Sequence, residues 1–215
     1  MRDDFATLVA DERMFYVSVA QQGPETYISV DIETNGRIPG LHSMLSIGAA
    51  AFSEEGILLD TFSINLEPLP FAVEHKETMD WWKTKPEAWA ECQKNQEDPE
   101  VAMRRFSEWV KSLPNTPVCA AYPAAWDFMF IYWYLIYFLG ESPCGFSALD
   151  MKTYAMPITG GRYFDGKSAM PVDWLEGGRE NPHIAVEDAI RQGRMFMKMR
   201  EAARRLLFWK PAGVS

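Results

Sequence analysis

The sequence predicts an α/β domain: a mixed five-stranded sheet, antiparallel across its first three strands, flanked by helices. Three observations carry that expectation. Strand-like segments come first and follow one another through tight connections. The hydrophobic period then lengthens to that of helices, with further strands interleaved. Finally, 47% of the 215 residues are hydrophobic, enough for one sizeable core and hence one domain.

Residues 1–25 read as an N-terminal extension. Phe5, Leu8 and Val9 suggest a turn or two of amphipathic helix, and Gln21-Gln22-Gly23-Pro24 reads as a break. The domain proper spans 26–207. Tyr27 to Asp31 is a strand rich in β-branched residues that ends on an acid. Asn35-Gly36 and Pro39-Gly40 mark loops, Leu45 to Phe52 reads as a second strand, and Leu58 to Leu66 follows after the turn Glu54-Glu55-Gly56. Three strands so joined form an antiparallel meander. Thr78–Trp82, Pro86–Gln93 and Pro99–Leu113 then look helical. In the last of these, Asp98 can cap, Pro99 suits the first turn, and Ala102, Phe106, Trp109 or Val110, and Leu113 share a face. Pro117 to Ala121 predicts a fourth strand, followed by an aromatic helix, and Leu149 to Thr153 a fifth strand. Residues 157–182 lack periodicity and are rich in Gly and Pro. A loop this long is uncommon in a compact domain. Its Arg162, Lys167 and Arg179, beside Tyr163, Phe164 and Trp174, suit bases and phosphates; a surface excursion with incidental charges is equally consistent. A long helix from about Ala185 to Leu207 completes the domain, leaving 208–215 as a tail.

The net charge is −9 and the isoelectric point about 4.9. Such a chain has no overall electrostatic footprint for wrapping duplex nucleic acid. A nuclease is still compatible, because cations in a carboxylate site reverse the charge that a phosphate meets. Cys92, Cys119 and Cys144 show no paired spacing, and Met1-Arg2-Asp3-Asp4 leads into no apolar run. Both features predict reduced thiols and a cytoplasmic protein without a secretory signal. Phe128 to Leu139 is apolar or aromatic throughout, but this stretch falls well short of the roughly 20 residues that span a bilayer. It is expected to pack within the protein, with no membrane partner.

Three short motifs carry the chemistry. Asp31-Ile32-Glu33 ends a strand, where alternation points both carboxylates to one side, within reach of one hard cation. Twelve Asp and eighteen Glu predict about one Asp-x-Glu by chance. A second one, Asp98-Pro99-Glu100, reads as helix capping. The first is distinguished by its apolar strand and by the Asn35-Gly36 that follows. Asp127 opens the aromatic helix, where an acid also simply complements the helix dipole. His183 and Asp188 flank the start of the last helix, and roughly 0.2 occurrences of this spacing are expected by chance. A neutral imidazole there can take a proton from water, the general-base role. His42 and His75 have no acid at this spacing and read as structural or surface residues.

Together the motifs resemble the DEDDh 3′–5′ exonucleases of the RNase H-like superfamily, the branch containing RNase T, oligoribonuclease and bacterial proofreading exonucleases. The match rests on Asp31-Ile32-Glu33-Thr34, supported by Leu45-Ser46-Ile47-Gly48-Ala49, then on Trp126-Asp127 and on His183-Ile184-Ala185-Val186-Glu187-Asp188-Ala189. It spans about residues 26–200 in the family's order. Pro123 and Trp126 stand where the family commonly has Asn and Phe. The resemblance implies an RNase H-like fold and a metal-dependent exonuclease that releases nucleoside 5′-monophosphates. Asp31, Glu33, Asp127 and Asp188 would hold two divalent ions, Mg²⁺ or Mn²⁺, and His183 would be the base. Thr34, Leu45 and Ile47 would contact the terminal nucleotide of a single strand, RNA being favoured and DNA allowed. It also implies a homodimer, with the extension or Leu206-Leu207-Phe208-Trp209 as interface. Two alternatives remain: a proofreading DNA exonuclease module of a polymerase, marked by a preference for mismatched ends, and an inactive nucleic-acid-binding scaffold, marked by no Mn²⁺-dependent shortening of any strand.

Overall fold

The computed structural model describes residues 23–175 and 183–208; the expected extension through Gln22, the segment 176–182 and the tail after Phe208 lie outside them. The meander is formed by β1 (Glu25–Thr34), β2 (Met44–Phe52) and β3 (Leu58–Asn65). Helices α1 (Lys76–Trp82), α2 (Pro86–Cys92) and α3 (Pro99–Ser112) follow, then β4 (Thr116–Ala121), α4 (Ala124–Leu139), β5 (Leu149–Asp150), α5 (Met151–Thr159) and α6 (Ala185–Phe208). The sheet order is β3-β2-β1-β4-β5. β1, β2 and β3 pair antiparallel, whereas β1–β4 and β4–β5 pair parallel. The predicted mixed five-stranded sheet is thus the observed one.

Helices cover both faces. Ile28, Val30, Ile32, Ile47 and Ala49 pack on one face with Met103, Phe106 and Val110 of α3 and Phe130, Ile131 and Tyr134 of α4. Tyr27 and Ala120 pack on the other with Met151 and Ala155 of α5 and Met195, Phe196 and Met199 of α6. This two-sided cover explains why β2 is buried along its whole length and reads as an apolar run without alternation. Edge strand β3 alternates at its inner end, burying only Phe62 and Ile64.

The local reading of α3 holds. Asp98 accepts from Glu100 N and Val101 N at 2.9 and 3.2 Å, Pro99 opens the helix, and Ala102, Phe106 and Val110 are buried. The aromatic helix starts earlier than its apolar run, at Ala124, and buries one side while Met129 and Tyr137 stay exposed. No helix among the described residues is long and apolar enough to cross a membrane.

Two expectations fail. The fifth strand stops at Asp150, whose carboxylate accepts from Thr153 N at 2.6 Å and so caps α5. Pro157 lies inside this helix, and it obscured the helical pattern. The three cysteines are also not all reduced. Cys119 on β4 and Cys144 beyond α4 form a disulfide with Cα atoms 6.0 Å apart, while Cys92 is free and buried. The fold brings together residues 25 apart in sequence, which no local spacing reveals.

Candidate active site

The site lies where β1 runs out between the N-termini of two helices. Asp31 and Glu33 are on β1, and Asp31 stands opposite Gly48 of β2. A Cβ on Gly48 would lie 2.0 Å from the Ala185 carbonyl carbon and 2.1 Å from Val186 N. Only glycine lets the first turn of α6 rest on the sheet backbone at this level. That contact brings His183 and Asp188 beside the β1 acids. From the other side, Asp127 in the first turn of α4 accepts from Ile32 N at 3.3 Å. Trp82 donates its indole N–H to the Thr34 carbonyl at 2.9 Å, and Ser43 N donates to Asn35 Oδ1 at 2.7 Å. These bonds pin the end of β1.

Asp31, Glu33, Asp127, His183 and Asp188 all line one cleft of about 540 Å³. Glu33, His183 and Asp188 each present a ligand atom within 4.8 Å of the others. Burial sets the electrostatics. Glu33 and Asp127 are 8% and 3% exposed. Desolvation pushes Glu33 up to about 8, with the Asp127 charge adding to it. Desolvation likewise pushes Asp127 up to about 7, against the Ile32 N–H that favours its charged form. Asp31 is raised well above the ordinary carboxylate range, by burial first and then by Asp127 and Glu33; the Gln192 amide and the Lys167 charge oppose this. Like charges at such closeness disfavour joint ionisation unless cations join them. The N-termini of α4 and α6 supply only partial positive charge.

Two residues that sequence reading passed over hold the acids. Gln192 donates to Asp31 Oδ1 at 2.7 Å, and Arg191 pairs with Asp188. Both lie three or four residues beyond Asp188 on α6, a spacing that was legible as one helix face. His183 itself has a left-handed backbone, φ 69°, and its N–H donates to Asp188 Oδ2 at 2.9 Å. The loop residue therefore folds over the acid, as five-residue spacing across a helix start suggested. Its ring meets Trp81 edge to face, centroids 4.8 Å apart. Nothing local marked Trp81, because the contact bridges about a hundred residues. Trp126, standing where Phe was expected, lines the cleft, together with Tyr122, Lys167 and Trp174.

The suggested nucleotide contacts are placed elsewhere. Leu45 is buried against Trp82, Ala88 and Cys92, and Ile47 lies in the core under α3 and α4. The Thr34 hydroxyl donates to the Gly36 carbonyl at 2.7 Å. None of the three lines the cleft. Both β2 side chains are drawn inward by apolar packing. The other two histidines are structural: His42 is buried with Nδ1 2.8 Å from the Val73 carbonyl, and His75 caps α1.

A family model described as the 3′–5′ exoribonuclease Rv2179c-like domain matches residues 26–199. The chain belongs to this exonuclease family. An Escherichia coli relative, the 3′-5′ DNA exonuclease Cap18, is 31% identical over 180 residues, covering 80% of this chain and 90% of the relative. The nuclease domain of 3′hExo, a DEDDh family member solved with rAMP, superposes with a TM-score of 0.61 at 11% identity, covering 85% and 94% of the two chains. Escherichia coli Exonuclease I, solved with a dT13 oligonucleotide, gives 0.64 at 14%, covering 85% of this chain and 42% of that one. The protein is thus a 3′–5′ exonuclease with the DEDDh, RNase H-like fold.

The side chains of this exonuclease fit divalent cations. Four carboxylates and one imidazole form a hard, oxygen-rich donor set. The acids raised by burial, Asp31 and Glu33 by neighbouring charge as well, are those that bound cations would restore to the charged form.

Proposed function

We infer that the protein removes nucleotides from the 3′ end of single-stranded nucleic acid, in a metal-dependent hydrolysis that releases nucleoside 5′-monophosphates. The observation that carries this reading is the convergence of Asp31, Glu33, Asp127, Asp188 and His183 in one cleft. The four acids would hold two divalent ions, Mg²⁺ or Mn²⁺. Such ions, when bound, would supply charge neutralisation at the phosphate and a more acidic water. His183 is the base. The water oxygen bonds to phosphorus, its proton passes to the imidazole, and the bond to the leaving 3′ oxygen breaks, that oxygen taking a proton from solvent. Trp81 and the Asp188 carboxylate orient His183, one through its ring and the other through its backbone.

The single-strand preference is supported by the net charge of −9, which offers little to long duplexes. RNA fits the family description, whereas deoxyribose is favoured by the DNA exonuclease that is 31% identical. Matched 5′-labelled RNA and DNA single strands of several lengths, incubated with Mn²⁺ and resolved by size, test both points. A ladder shortening from the 3′ end is expected. Internal cuts, or no Mn²⁺-dependent shortening of any strand, would reject the reading.

A further inference from the structure

The segment beyond α5 builds a surface of its own. Gly160, at φ 69°, ends α5 in a left-handed cap. Asp165 Oδ2 accepts from Arg162 N at 2.8 Å, its carboxylate pairs with the Arg162 guanidinium at 3.2 Å, and Ser168 Oγ donates to the Asp165 carbonyl at 2.6 Å. This turn raises Tyr163 and Phe164 from the surface, 41% and 92% exposed. Their rings meet edge to face with centroids 5.3 Å apart. Lys152 of α5 sits 3.9 Å from the Tyr163 centroid and 5.7 Å from that of Phe164. One step towards the acids, Lys167 lies 4.9 Å from the Tyr122 ring, and both residues line the catalytic cleft. The buried Tyr122 hydroxyl has no hydrogen-bond partner among the described residues.

A single exposed phenylalanine is ordinary on a protein surface. Two aromatic rings under a lysine, continuous with a second lysine–tyrosine pair that opens into an acidic cleft, form a track with alternating chemistry. Flat π-faces suit bases and ammonium groups suit the phosphates between them.

We propose that this track holds the nucleotides that precede the scissile phosphodiester in a single strand, with a base stacked on Phe164, whose ring Tyr163 props edge to face, and phosphates at Lys152 and Lys167. The proposal rests on the exonuclease reading of the cleft and extends its substrate beyond the terminal nucleotide. It makes the enzyme a reader of strand length: a substrate too short to reach Phe164 forfeits the stacking.

The test compares two substrates in the full chain. One is a fluorescein-labelled single-stranded dodecamer, followed both by anisotropy in Ca²⁺ and by cleavage in Mn²⁺. The other is the p-nitrophenyl ester of thymidine 5′-monophosphate, which has no preceding nucleotide. For Phe164→Ala, loss of one stacked base should raise Kd and KM for the dodecamer about 5- to 150-fold. Hydrolysis of the ester should be unchanged. Lys152→Ala should weaken dodecamer binding and reduce its salt dependence, again sparing the ester. Unchanged dodecamer affinity in both variants, or equal losses on both substrates, overturns the track. Wild-type protein that binds the dodecamer through Phe164 without ever shortening it would leave the track standing and reject the exonuclease reading.

Discussion

Glu33→Gln should stabilise the metal-free protein while destroying its metal site. Glu33 is 8% exposed and its carboxyl is pushed from 4.5 to about 8. A carboxyl raised in the fold binds its proton more tightly there than in the unfolded chain. Its contribution is therefore fully present below about pH 4.5 and is lost as pH rises through about 8. At pH 7 the unfolded chain has released this proton and the folded protein has not. That difference costs the fold about 3 kcal/mol. Glutamine keeps the shape and has no proton to lose, so the variant should gain about that amount at pH 7 and under about 1 kcal/mol at pH 5. For a chain of this length the gain corresponds to a Tm increase of about 6–12 °C. Differential scanning calorimetry in EDTA, at several pH values between those limits, measures it. Mn²⁺ should then invert the ranking, because ligand binding stabilises only the protein with an intact site. A variant no more stable than wild type in EDTA at pH 7, or a gap that does not shrink on acidification, would refute the reasoning.

His183→Ala should lower kcat by about 10²- to 10⁴-fold, the range of a lost general base, while calorimetric Mn²⁺ affinity stays nearly constant; a collapse of that affinity would make His183 a ligand instead. Asp31→Asn should lose both turnover and metal binding, read in the same two assays. Trp81→Ala should lower kcat about 10-fold with little change in KM, through looser placement of the imidazole, and Trp81→Phe should recover most of it. Gly48→Ala places a methyl against the α6 backbone and should cost about 3 kcal/mol in a denaturant titration, with activity falling further than stability explains.

Much of this was legible in the sequence because its signals were periodic or paired. β1 and β2 announced themselves by apolar runs, α3 by its cap, proline and stripe, and the five residues that converge on the cleft by short motifs in order. α5 was hidden because Pro157 imitates a boundary and Asp150 serves both strand and cap. The Cys119–Cys144 bond and the Trp81–His183 contact were invisible because each is made by tertiary approach alone. Leu45 and Ile47 followed the family pattern into the site, but their side chains obey the core instead. Arg191 and Gln192 were within reach: both lie on the expected Ala185–Leu207 helix, three and four residues past Asp188.

The seat of α6 on the bare peptide of Gly48 has a consequence for how this enzyme can change. Side-chain contacts between a helix and a sheet have rotamers to spare, so their spacing drifts when neighbours are replaced. A helix lying directly on a strand's backbone has none. The interval between the half of the site on β1 and the half on α6 is thus set by the thickness of two main chains. Individual donors can be exchanged on either half without resetting that interval, which allows selection or a designer to retune the ion or the base one residue at a time.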